Sequence, residues 1–162
     1  MARVYVSIGS NIGREQNIRS GVAELRAGFG ELILSSVYES EAVGFAGDSF
    51  YNLVAGFDTA LTPQQVAEQL RAIEERHGRV RNGPRFSSRT LDIDLLLYDD
   101  LVLHEGKLDI PRDEITRNAF VLWPLAEIAP QLRHPELGAC YAALWASFDR
   151  TSQPLWPVPF SF

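Results

Sequence analysis

Val4, Val6 and Ile8 alternate with Tyr5 and Ser7, a two-residue period that predicts a strand running into Gly9-Ser10-Asn11-Ile12-Gly13. From Arg14 onward the period changes: Ile18, Val22, Leu25 and Phe29 fall at helical spacing, and Gly28 and Gly30 close that helix. A second strand is expected over residues 32–38, then a loop over 42–49 carrying Gly44 and Gly47, then a third strand over 50–59. Thr62-Pro63-Gln64-Gln65 has the form of a helix start, with a capping threonine, a first-turn proline and a capping-box glutamine. Val66, Leu70 and Ile73 form the buried stripe of that helix, and His77-Gly78 stops it. Residues 90–98 read as a fourth strand, Asp99-Asp100 as a turn, and 101–104 as a short partner strand. Residues 118–128 read as helical, with Pro124 kinking the helix or ending its first part. A last helix over 141–148 precedes an extended tail with Pro154, Pro157 and Pro159. The order β-α-β-β-α-β-β-α-α predicts an α+β, ferredoxin-like fold, a mostly antiparallel sheet with helices on one face and the other face left to a substrate.

Composition bounds what such a fold does. A chain of 162 residues, 46% hydrophobic and 22% charged, suits one well-packed domain over 1–162, and no apolar run is long enough to span a bilayer. The first residues enter the strand pattern at once and leave no room for a secretory signal, so a cytoplasmic location is expected. Cys140 is the only cysteine, which excludes an intrachain disulfide and an all-cysteine zinc site, and His77, His104 and His134 are scattered without ligand spacing. The net charge of −6 argues against a general nucleic-acid binder. Yet Arg76, Arg79, Arg81, Arg85 and Arg89 lie within one fourteen-residue segment. A local cation cluster in an acidic protein suits a small polyanion better than a polymer.

That cluster leads into Arg89-Thr90-Leu91-Asp92-Ile93-Asp94-Leu95. On a strand Asp92 and Asp94 share one face, while Leu91, Ile93 and Leu95 share the other. Two carboxylates one pleat apart suit a hard cation such as Mg²⁺, which leaves its other positions to water and phosphate. Beside an arginine-rich loop, the pair reads as a site for Mg²⁺-nucleotide. A solvated face of an antiparallel strand gives the same alternation, and spacing alone leaves both readings open.

Several pieces in order carry a family resemblance: Ile8-Gly9-Ser10-Asn11; Asn52 after two aromatics; Ile73-Glu74 before His77-Gly78-Arg79-Val80-Arg81; Arg89-Thr90-Leu91-Asp92-Ile93-Asp94; and Phe120-Val121-Leu122-Trp123-Pro124-Leu125. Together they closely resemble the 6-hydroxymethyl-7,8-dihydropterin pyrophosphokinases, over about residues 3–148. The resemblance implies transfer of the terminal diphosphate of ATP to the pterin hydroxymethyl group, with release of AMP, in folate biosynthesis. It implies two Mg²⁺ ions held by Asp92 and Asp94, and ATP and the reduced hydroxymethylpterin as partners of a monomer with no nucleic acid or membrane. By the same resemblance the nucleotide meets Glu74, Arg79, Arg89, Leu95, Lys107, Arg112 and Arg117, and Arg81 and Arg85 belong to a loop that closes over the site. For the pterin it implies stacking on Phe50 and Phe120, edge hydrogen bonds from Asn52, and the backbone around Ala42, Val43 and Gly44. Tyr51 is expected to face the opposite way from Phe50.

The chain also departs from the family pattern. Phe86-Ser87-Ser88 stands where the family usually has an aromatic or acid followed by Gly-Pro, and Pro111-Arg112 stands for a proline-histidine pair. A family arginine near the last motif is approximated by Arg117, with Asn118 in between. These changes motivate an alternative, a pterin- or nucleotide-binding paralogue with weak or altered transfer. A ferredoxin-like RNA-binding module is disfavoured, because the strands lack the paired aromatic platform that such modules use.

Overall fold

The computed structural model describes residues 1–41, 48–78 and 90–162. Strand β1 (Ala2–Ser10) lies inside the sheet, between β4 (Phe50–Thr59) and β5 (Asp92–Tyr98), antiparallel to both. The full order is β5-β1-β4-β3-β8, with β3 (Val37–Ser40) and β8 (Leu155–Val158) on the far side and the two-residue β2 (Ile33–Leu34) also on β4. Helices α1 (Arg14–Phe29) and α2 (Pro63–Arg76) cross between these strands in the split β-α-β manner.

Local chemistry accounts for the helix ends. Gly13 takes a left-handed conformation (φ 50°) before α1, and Gly30 (φ 84°) ends it. Thr62 Oγ1 accepts from the Gln65 N–H at 3.2 Å while Gln65 Oε1 accepts from the Thr62 N–H at 2.9 Å, the reciprocal cap expected for α2. The apolar stripes of both helices (Ile18, Val22, Leu25; Val66, Leu70, Ile73) bury against Val4, Val6, Ile8, Leu53, Ile93 and Leu95 of the sheet. Each such side chain removed from water stabilises the fold by about 1.5–3 kcal/mol.

The two last helices of the expected order, joined by a short helix that it lacked, lie not beside α1 and α2 but on the face expected to stay open. Helices α3 (Glu114–Arg117), α4 (Ala119–Ile128) and α5 (Tyr141–Ala146) cover part of the second face, where Ile115, Val121, Leu122, Leu125 and Tyr141 pack on Tyr5, Val54, Leu96 and Leu97. Helices therefore lie on both faces of the sheet. Helix α4 runs unbroken through Pro124, because its buried apolar side chains offset the roughly 3 kcal/mol that an interior proline costs.

Three other expectations are corrected by specific contacts. The second strand divides into β2 and β3 at Ser35-Ser36: Ser35 exchanges hydrogen bonds with the Val54 backbone at 2.9 Å, and the Ser36 N–H turns instead to Glu127 of α4 at 3.0 and 3.1 Å. The short strand after the Asp99-Asp100 turn does not pair with β5. It is β6 (Leu103–Glu105), and it forms its own hairpin with β7 (Leu108–Ile110), since the outer edge of β5 is taken by Glu74 and by the Arg112 N–H on Leu96 O at 3.0 Å. The tail is not merely extended but adds β8 to the sheet, with Trp156 opposite Glu39 and Pro157 opposite Tyr38. Among the described residues no helix is long and apolar enough to cross a membrane.

Candidate active site

Strand register builds the site. Gly9 of β1 pairs with Asp92 on one side and with Asn52 on the other, and Asn52 pairs onward with Tyr38, so the four form one row across the sheet. Side chains in such a row point to the same face, here the second one. In the adjoining row, Asp94 pairs with Ser7 and Ser7 with Val54. Leu91, Ile93 and Leu95 go the other way, into the core beneath α1 and α2. Strands lie about 4.8 Å apart, so Asp92 and Asn52 stand about 10 Å apart with a glycine between them. That spacing leaves an open floor. A Cβ on Gly9 would come within 2.8 Å of Asn52 Oδ1 and 3.8 Å of the Phe50 ring, so those two side chains border the gap.

Asn52 is buried and its orientation is set locally: Nδ2 donates to Ser40 Oγ at 2.9 Å, leaving Oδ1 on the Gly9 side. Phe50 begins β4 two residues earlier and shares its face, whereas Tyr51 points to the opposite one and packs against the first core. Phe120 lies in the first turn of α4 and packs half-buried on the second-face layer.

On the other side of Asp94 a cleft of about 130 Å³ opens between α2, β5 and the β6–β7 hairpin. It brings together Glu74, Leu95, Lys107 and Arg112 with Asp94. Glu74 is buried, and its Oε2 accepts from the Ile93 N–H at 2.9 Å, between the two aspartates in sequence. The Arg112 guanidinium lies 3.7 Å from Asp94 Oδ1 and is held at 2.8 and 2.9 Å by Glu114 Oε1, which is the part that the sequence did not announce. Arg71 and Asp109 also line the cleft and were missed. Arg71 stands one turn before Glu74 on the same helix face, the spacing that could have flagged it.

Electrostatics single out Asp94. Burial pushes its carboxyl up to about 7; Arg112 works against this, and Asp92, Glu114 and Glu74 add to it. Its side chain still keeps 32% of its surface open, so a cation can reach it. A carboxylate crowded in this way gains from an added cation. Among the described residues no group of three or more His, Cys, Asp or Glu could form a closed metal cage. Two carboxylates on one open face fit instead a hard divalent cation that completes its shell with phosphate oxygens and water.

Not every expected residue falls here. Arg117 is exposed and pairs with Asp113 at 3.1 Å, away from the cleft. Ala42, Val43, Gly44, Arg79, Arg81, Arg85 and Arg89 lie outside the described residues.

Comparison with known proteins identifies the family and the fold. A 2-amino-4-hydroxy-6-hydroxymethyldihydropteridine pyrophosphokinase of Pseudomonas aeruginosa is 41% identical over 138 residues, 83% of this chain and 85% of that protein. One from Synechocystis is 36% identical over 156 residues, 94% of this chain and 78% of that protein. In fold the chain is similar to a crystal structure of Plasmodium falciparum HPPK-DHPS, with a TM-score of 0.71 and 14% identity, over 90% of this chain and 42% of that one. The family model described as 7,8-dihydro-6-hydroxymethylpterin-pyrophosphokinase (HPPK) matches residues 5–130, a span that contains both aspartates, Asn52 and the whole cleft, and the chain belongs to that family.

Proposed function

We infer that the protein transfers diphosphate from ATP to the hydroxymethyl group of 6-hydroxymethyl-7,8-dihydropterin, releasing AMP, a step of folate biosynthesis. The observation that carries this is the row Asp92-Gly9-Asn52, which sets an open floor between a carboxylate pair and a buried amide. In this reading Phe50 and Phe120 stack on the flat pterin ring, and Asn52 Oδ1 accepts from its polar edge. The nucleotide lies toward the cleft, where Leu95 supplies an apolar wall and Lys107 and Arg112 supply cations. Arg79 and Arg89 are assigned to the phosphates, and Arg81 and Arg85 to the closing loop, on the family resemblance alone.

Asp92 and Asp94 would hold two Mg²⁺ ions with the triphosphate. Such ions neutralise charge on the transferring group and polarise the attacking hydroxyl. The hydroxymethyl oxygen attacks the β-phosphorus as the bond from that phosphorus to the oxygen bridging it to the α-phosphate breaks; AMP leaves with that oxygen, and the hydroxyl proton passes to solvent. Positioning and electrostatics carry most of a phosphoryl transfer, so no strong protein base is required. Incubation with ATP, Mg²⁺ and the reduced hydroxymethylpterin, followed by separation of nucleotides, tests the assignment. AMP formed in step with pterin diphosphate is the expected result, and ADP or no product would refute it.

A further inference from the structure

Phe50 and Asn52 present to the second face, so what holds β4 from behind decides how they are presented. On the first face the Arg14 guanidinium lies 3.9 Å from the centre of the Tyr51 ring. The same group donates through Nη1 to Glu39 Oε2 at 2.6 Å and to the Ser49 carbonyl at 3.0 Å. Glu39 lies at the end of β3, opposite Tyr51, and Ser49 immediately precedes β4. One guanidinium therefore ties together a carboxylate before the 42–47 segment, a carbonyl after it, and the aromatic ring between Phe50 and Asn52. The Asn11 amide adds a bond to Asp48 O at 3.1 Å. The second oxygen of Glu39 accepts from Trp156 Nε1 at 3.2 Å, a contact that the β3–β8 register sets up. Trp156 lies beyond the residues that match the family model.

We propose that Arg14 is a positioning residue for the pterin end of the site, clamping the rear of the strand that carries Phe50 and Asn52, and that Trp156 steadies the clamp through Glu39. The proposal rests on the pterin assignment of Phe50 and Asn52. Arg14 and Glu39 are 30% and 21% exposed, so their ion pair is screened less than a surface pair. A positioning role should spare the nucleotide, whose cleft lies across Asp94 and shares no residue with the clamp.

The test measures KM for the pterin and for ATP separately, with thermal unfolding alongside, in the full chain. Arg14→Met should raise the pterin KM about tenfold, the size expected for one lost charge-assisted hydrogen bond, and leave the ATP KM within about twofold. Trp156→Phe keeps an aromatic ring and removes only the N–H, and should raise the pterin KM alone by about twofold to threefold. An unchanged pterin KM, a joint rise in both KM values, or a fall in kcat alone would overturn the clamp. If Arg14→Met fails to fold, Trp156→Phe decides by the same criteria, since Trp156 is 42% exposed and not part of the core. Wild-type protein that forms no AMP would sink the pterin reading and the clamp with it, whereas active wild type with unshifted variants sinks the clamp alone.

Discussion

Glu74 and Asp92 are acids set close together by α2 and β5, and their surroundings differ. Asp92 opens β5 on the second face, partly exposed and outside both cores, so the fold does not depend on its methylene. Asp92→Asn or Asp94→Asn should reduce turnover by at least about a thousandfold if each holds a metal, with thermal unfolding little changed. Near-wild-type rates at limiting Mg²⁺ would remove the metal assignment. Glu74 is 6% exposed and accepts the Ile93 N–H, so its loss strips a partner from a buried donor. Glu74→Ala should destabilise the protein by about 1–3 kcal/mol, whereas Glu74→Gln, which keeps an acceptor, should lose much less. Equal unfolding midpoints for the two variants would show that the hydrogen bond is not what holds β5. The aspartates were legible because a two-residue period with apolar partners fixes which face each takes. The Glu74 bond was not legible, since a helix acid has no local signal telling it from a surface one, and neither was Ser40's grip on the Asn52 amide, twelve residues away in sequence.

At the scale of elements, two glycines show how one sheet serves both function and packing. A Cβ on Gly9 would press on Asn52 Oδ1 at 2.8 Å, over the open floor of the site. A Cβ on Gly56 would meet the Tyr5 ring at 2.8 and 3.0 Å, inside the second-face layer. Gly9→Ala should therefore act mainly on the pterin, raising its KM or abolishing turnover, while Gly56→Ala should lower the unfolding midpoint by an amount equivalent to about 1–3 kcal/mol. Steady-state kinetics and thermal melts on both variants check the split, and a reversal of the two effects would refute it. Elements written in local chemistry, such as the capped start of α2 and the glycine-bounded α1, were readable from the chain. Those decided by a distant partner were not. The break between β2 and β3 needs Glu127 of α4, and β8 is a proline-containing tail that becomes a strand only because β3 offers it an edge.

For the molecule as a whole, the second-face layer includes the connection between α4 and α5, where a buried histidine stands. His134 is 6% exposed, and its Nδ1 accepts the N–H groups of Glu136 and Leu137, both at 3.1 Å. Its ring tilts against Tyr141, which packs on Tyr5 in the second-face core. Burial lowers its pKa, against an opposing pull from Glu136. The folded-state pKa thus lies below the unfolded value of about 6.5. Above that pH both states are neutral and the group has no effect; as pH falls through it, the unfolded chain takes the proton first and stability is lost. A protonated Nδ1 would also face two donors. His104, exposed and raised by Asp109 and then Glu136, works in the opposite sense, gaining stability as pH falls, so the wild-type melt alone reports a mixture. His134→Asn separates them, because its Oδ1 can accept the same backbone N–H groups without titrating. Between about pH 7.5 and about pH 5.5 the variant's midpoint should fall less than the wild type's, by at most roughly 3–5 °C, because this window reaches only about one pH unit below the unfolded value. Parallel curves would show that His134 is not protonated on unfolding, and that the acid sensitivity of this layer lies elsewhere.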